Sequence, residues 1–264
     1  MNRKQRTIFL RVVFWAVVFA VPGVWLWKAD RQEWLNRQLI AAIKREDTPA
    51  ALLALEQGAD GNARDEPVTP GWKRLWDLVR GRKAPPSLGA TPLLLMLQYE
   101  YATTDTTPED PPREHTDLVE ALLAHGADVN LRYEGRQTPL LYALADSKKT
   151  ATIRLLLEHG ASVNDGLGAE LLSFAIGCGN DSSILELLIQ HGADPDHAEN
   201  KNYTPLAAAV YCRNRSAIAC LLSHHADPNV LMWGTQDPVH PLEFAETFHM
   251  TEIARLLRAA GARR

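Results

Sequence analysis

Four of the nine histidines recur at one place in the sequence: His125, His159, His191 and His224 each follow a leucine-rich segment. Histidine ligates metals and titrates near neutral pH, so this series is the first place to look for chemistry. Spacing argues against it. Packed helical units lie about 10 Å apart, whereas a zinc ion needs every ligand atom about 2 Å away. Neighbouring histidines therefore cannot share an ion without large rearrangement. An imidazole at a helix C-terminus suits the helix dipole when protonated. Cys178 and Cys212 end equivalent segments in consecutive units, which puts them beyond the Cα separation of about 7 Å that a disulfide tolerates. Cys220 takes a leucine position and reads as a small buried hydrophobe. No HExxH, GxSxG, Walker or CxxC pattern occurs. Gly166-x-Gly168 is too short for a dinucleotide loop. The chain reads as a non-enzyme, with no catalytic residue, cofactor, metal or small-molecule substrate assigned.

The elements behind these residues repeat. A leucine-rich helix followed by Gly-Ala-Asp-x-Asn recurs as LLALEQGADGN, ALLAHGADVN, LLLEHGASVN, LLIQHGADPD and CLLSHHADPN, and RLLRAAGA closes the chain. The marker glycines are Gly58, Gly126, Gly160, Gly192 and Gly261, with His225 in the fifth copy. Upstream of most markers stands a second phrase: Thr91-Pro92-Leu93, Thr138-Pro139-Leu140, Thr204-Pro205-Leu206 and His240-Pro241-Leu242. Threonine caps a first helix and proline fits its first turn. Ala143, Ala175, Ala208 and Ala245 leave room for close packing. The second helix is expected to bury leucine pairs: Leu52 and Leu53, Leu122 and Leu123, Leu156 and Leu157, Leu187 and Leu188, Leu221 and Leu222. Glycine then closes the helix in the left-handed conformation, and Asp and Asn hold the next turn. His225 in that closing position costs about 1 kcal/mol.

These two phrases, in order and near a 33-residue period, resemble the ankyrin repeat. The resemblance covers residues 36–264 and implies an all-α solenoid of helix-turn-helix units joined by β-hairpin-like loops. About six repeats are expected, at 36–63, 89–130, 131–164, 165–198, 199–229 and 230–264. Two insertions interrupt them, 64–88 and 102–114. They read either as loop drift or as contacts to a partner or membrane surface. Trp72 and Trp76 share a helical face and would cover the first repeat's edge. The resemblance implies protein–protein recognition through hairpin tips and the ends of the first helices. The expected contact residues are Tyr99, Arg132, Tyr133, Glu134, Asn200, Lys201, Tyr203, Tyr211, Met232, Trp233 and Phe248. Aromatic anchors dominate interface hot spots; the other reading is that individual aromatics pack between hairpins. The partner itself is not legible.

Composition agrees with a folded chain. Of 264 residues 46% are hydrophobic and 23% charged, which excludes long disorder and collagen. The net charge of -4 gives no basic surplus for a nucleic acid. The apolar residues are unevenly placed, because Val12 to Trp27 carries no charge. Residues 8–27, about the 20 needed to span a bilayer, read as a signal-anchor. Residues 1–7 form a basic flank and 28–35 a short link to the repeats. Basic residues precede the span, which places the N-terminus in the cytoplasm and the repeats on the extracytoplasmic side of a bacterial-envelope-type membrane. A cleaved signal peptide, cut after Val18-Phe19-Ala20, is the alternative and would release a soluble binder.

Overall fold

The computed structural model describes residues 24, 27–66, 89–102, 115–133, 137–146, 149–164, 171–197, 203–233 and 238–263, with backbone only at 99–102 and 233. The first helix, α1, runs over 27–44. It is followed by α2 (Thr48–Glu56), α3 (Pro92–Ala102), α4 (Thr116–Ala124), α5 (Pro139–Leu144), α6 (Thr150–Glu158), α7 (Leu171–Gly177) and α8 (Ser182–Gln190). Then come α9 (Pro205–Tyr211), α10 (Arg215–Ser223), the strands β1 (Met232–Trp233) and β2 (Pro238–Val239), α11 (Pro241–Thr247) and α12 (Thr251–Ala259). The helices pair in sequence, a first with a second, and each pair packs on the next.

The local chemistry is that of the two phrases. The hydroxyls of Thr91, Thr138 and Thr204 accept from the amides of Leu94, Leu141 and Ala207 at 3.4, 3.3 and 3.2 Å, satisfying donors a helix start leaves open. At the end of the second helices, Gly58, Gly126, Gly160, Gly192 and Gly261 are left-handed, with φ from 83° to 96°. His225 adopts the same conformation at φ 66° without glycine's freedom. Three other side-chain-bearing residues, Glu46, Arg213 and His249, stand left-handed at the turn from first to second helix, where Gly179 serves the same purpose in the fourth pair.

The core runs along the stack. Ala143, Ala175, Ala208, Ala209 and Ala245 are buried where first helices meet, as are Leu122, Leu156, Leu188 and Leu221 on the second helices. On α2 the buried residues are Ala51, Ala54 and Leu55, while Leu53 is 54% exposed. The sequence expectation of a Leu52–Leu53 pair there is therefore two residues out of register. Counting back from the closing glycine aligns Ala54 and Leu55 with Leu122 and Leu123. Leu53 aligns with Leu155 and Leu187, each half-buried.

One asparagine, or Asp196 in the fourth unit, joins each pair to the next. Asn62 donates to the Gly126 carbonyl at 2.7 Å and accepts from the Asp128 amide at 2.6 Å. Asn130 does the same to Gly160 and Ser162 at 3.0 and 2.8 Å. Asn164 donates to Gly192 at 2.9 Å, and Asn229 accepts from Arg263 at 2.7 Å. At the first pair α1 supplies both halves of the rung. Gln32 donates to the Gly58 carbonyl at 2.8 Å, and Asn36 accepts from the Asp60 amide at 2.9 Å. Residues 28–35, read from the sequence as a link, are helical and continuous with the first repeat's helix.

Two further features correct or locate sequence expectations. Residues 64–66 and 89–90 close on each other: the Asp65 amide donates to the Ala90 carbonyl at 3.1 Å, and Arg64 to the Gly89 carbonyl at 2.9 Å. Residues 67–88 thus leave from the base of a hairpin, while 103–114 fall between α3 and α4; both stretches, with Trp72 and Trp76, lie outside the described residues. Among the described residues no helix is long and apolar enough to cross a membrane. Of the segment 8–27 only Val24 and Trp27 are described.

Candidate functional site

The first helices and the hairpins between pairs line one face, and its character changes along the stack. Beside the first pair the face is charged. A cleft of about 640 Å³ lies between α1 and residues 60–66. Lys44 reaches Asp65 across it at 2.6 Å, and Arg37 is held by Glu33 at 2.6 Å. These pairs are partly exposed and contribute little stability. At the second and third pairs the face is polar: Gln98 donates to the Tyr142 hydroxyl at 2.8 Å, which donates to Gln137 at 2.5 Å.

From the fourth pair onward the face is aromatic. Phe174 on α7 is 37% exposed, Phe248 at the end of α11 is 38% exposed, and Tyr203 before α9 is 43% exposed. Phe244 lies beneath, its ring 4.5 Å from Phe248 and 5.2 Å, edge-on, from Tyr211. Such contacts hold rings in one orientation beyond what burial alone does. Burial pushes the Tyr211 hydroxyl above the usual tyrosine range, and Tyr203 nearby pushes it further, so this phenol stays protonated. The helix position of Phe174 and Phe244 is occupied in the fifth pair by buried Ala208. Large, small and large side chains thus alternate along this face, with Ala208 itself covered.

Several expected contact residues stand on this face in different roles. Tyr203 and Phe248 are exposed; Tyr211 is half-buried support for Phe244. Arg132 is exposed, and Tyr133 is half-buried and bridges to Gln137 through the backbone at 2.9 and 3.1 Å. Met232 is a correction. It pairs with Val239 across the hairpin and is fully buried, because its strand position points into the core rather than to the tip. Glu134, Asn200 and Lys201 lie outside the described residues, as do the side chains of Tyr99 and Trp233. Phe174, Phe244 and Tyr142 were missed. They sit one turn before the helix ends on which the sequence reading concentrated.

The reactive side chains do not converge on this face. His125, His159, His191 and His224 each follow a second helix. No group of three or more metal-capable side chains is found among the described residues. The cysteines are free thiols; Cys212 is exposed and Cys178 half-buried. Cys220, expected in the core, is also half-buried, its sulfur 3.8 Å from the Ser182 carbonyl. Burial raises the thiol pKa of Cys178 and Cys220, with Glu186 adding to the effect at Cys220; both are weaker nucleophiles for it.

Comparison with known proteins gives consistent results. The family model described as ankyrin repeats, three copies, matches residues 112–199, 145–232 and 172–263. An ankyrin repeat protein of fowlpox virus (strain NVSL) is 30% identical over 151 residues, 55% of this chain and 44% of that protein. Ankyrin repeat and SOCS box protein 11 of Danio rerio is 35% identical over 94 residues, 36% of this chain and 32% of its own length. The chain thus spans less than half the length of these relatives. Among solved structures, an ankyrin repeat domain from Acinetobacter baumannii AYE superposes with a TM-score of 0.61 at 24% identity, covering 85% of this chain and 98% of that one. The likeness in fold extends beyond the stretch the family model matches.

Proposed function

From the premise that this chain belongs to the ankyrin-repeat family, we propose that it binds a partner protein through its C-terminal aromatic face and holds that partner at a membrane. Ankyrin repeats constitute a protein–protein interaction domain; nothing in the described residues assembles a catalytic group with a base and an orienting partner. The observation that carries the binding reading is the set Phe174, Tyr203 and Phe248, exposed on one face, with Phe248 packed on the Phe244–Tyr211 ring pair. Preformed aromatic anchors are what interface hot spots are made of. The charged cleft at the first pair and the polar middle supply register and specificity.

The membrane reading rests on the charge-free run from Val12 to Trp27. The basic flank supports an orientation with the repeats outside the cytoplasm. Intact-mass measurement of the mature chain tests the tether: a mass beginning near Val21 supports the soluble alternative instead. For binding, Phe174→Ala with Phe248→Ala is expected to weaken capture of a cross-linked partner at least tenfold with an unchanged melting temperature. Unchanged capture overturns this choice of face.

A further inference from the structure

The two ends of the stack are finished differently. At the C-terminal end, α12 turns outward Glu252 and Arg255, paired at 2.9 Å, and Arg258, paired to Glu246. That is the polar outer face a terminal repeat needs in water. The N-terminal end instead presents Val24, Trp27, Trp34 and Leu53, each more than half exposed. At about 100° per residue, Trp27, Arg31 and Trp34 fall within an arc of about 60° on α1. Arg31 lies over the Trp27 ring at 5.9 Å. Gln32 and Asn36, which clamp α1 to Gly58 and Asp60, point to the opposite side. The stripe is therefore held rigidly and faces away from the repeats.

We propose that this stripe of α1 lies in the interface of an anionic phospholipid bilayer, with the helix parallel to the surface, so that the first repeat is docked on the membrane rather than hung from it. The proposal rests on the tether suggested above and goes beyond it. Two observations favour lipid as the occupant. Indole rings with an adjacent cation, Arg31, match the headgroup boundary. The stripe also begins at Trp27, where the charge-free run ends.

The full chain is reconstituted in vesicles of phosphatidylcholine with about one-third phosphatidylglycerol, made with and without brominated acyl chains. Bromine quenches tryptophan by contact. Subtracting the emission of Trp27→Phe or Trp34→Phe from that of the parent isolates each indole. We expect both signals to fall to a similar extent, about twofold, and both to resist aqueous acrylamide. Arg31→Glu should restore emission to both. Quenching of Trp27 alone means that α1 rises from the surface, and overturns the proposal. So does quenching of Trp34 by acrylamide only. A Trp34 signal shielded from both quenchers places a second copy of the chain, or another protein, on the stripe, and also overturns it. Alkaline carbonate extraction of the same vesicles separates the two readings. A retained chain with Trp34 in water loses only the docking; a released chain loses the tether as well.

Discussion

Replacing Asp196 by asparagine should stabilise the stack, because the rung between the fourth and fifth pairs is half built. Asp196 accepts from the Asp227 amide at 2.8 Å, as Asn62 and Asn130 accept from the next unit. In three other rungs the asparagine amide also donates to the closing residue's carbonyl, at 2.7, 3.0 and 2.9 Å. A carboxylate cannot donate, so the His225 carbonyl loses that partner. Burial raises the Asp196 pKa above the ordinary carboxylate value; the Asp194 and Asp227 charges raise it further, and the Asp227 amide opposes them. Asp196→Asn adds one donor and removes one like charge. A net hydrogen bond is worth about 0.5–1.5 kcal/mol, or roughly 1–6 °C in Tm for a chain of this length. The pH dependence has a definite sign. The folded carboxyl binds its proton more tightly than the unfolded one, so the parent loses relative stability as pH rises from the ordinary carboxylate value through the raised one. Below that window a protonated Asp196 imitates asparagine. Urea titrations in mild detergent should therefore show a gain for Asp196→Asn at pH 7 that shrinks towards pH 3.5. A neutral or destabilising substitution at pH 7, or a gain equal at both values, would refute the half-built rung.

Other outcomes follow from single contacts. His225→Gly relieves a left-handed backbone at φ 66° and should add about 1 kcal/mol in the same titrations; a loss would mean that the imidazole contributes more than the strain. Gly89→Ala places a Cβ 2.6 Å from the Asp65 carbonyl oxygen. It should cost about 1–3 kcal/mol, read as faster amide exchange at Asp65, and unaltered exchange would remove the closed hairpin base. Asn180→Ala should cost about 1–3 kcal/mol, because its buried amide serves the Leu144 and Ala175 carbonyls at 2.8 and 3.1 Å. Gln32→Ala with Asn36→Ala should raise protease sensitivity in α1 before the rest of the stack, since both clamps to the Gly58 turn are lost.

The fold was legible because two phrases recur, each carrying its own mechanism: a threonine cap and a glycine closure. Register failed by two residues in the first pair and by one in the fourth, where Leu188 and Ile189 rather than Leu187 and Leu188 align with Leu122 and Leu123. LLALE offers apolar residues on every side of the helix, and only the distance back from Gly58 selects Ala54 and Leu55. The rung asparagines were read as local turn formers, because their partners lie in the next unit, 30 residues away for Asn130 and Gly160. For the same reason residues 28–35 looked like a link: the partners of Gln32 and Asn36 lie more than twenty residues ahead. On the aromatic face Tyr203 and Phe248 were found from hairpin and helix-end positions. Phe174 and Phe244 were missed because nothing local marks which turn of a short first helix faces outward. Met232 was misassigned because strand alternation, not proximity to a turn, decides which hairpin side chains enter the core.

Position-resolved photocross-linking in native membranes tests the binding reading most directly. A benzophenone side chain is placed at Phe174 or Phe248 on the aromatic face, and at Arg154 or Glu186 on the second helices. Adduct to one protein is expected from Phe174 and Phe248, with none from Arg154 or Glu186, and it should vanish on adding Phe244→Ala. Adduct from the second-helix positions alone would contradict the assignment of the aromatic face as the binding surface.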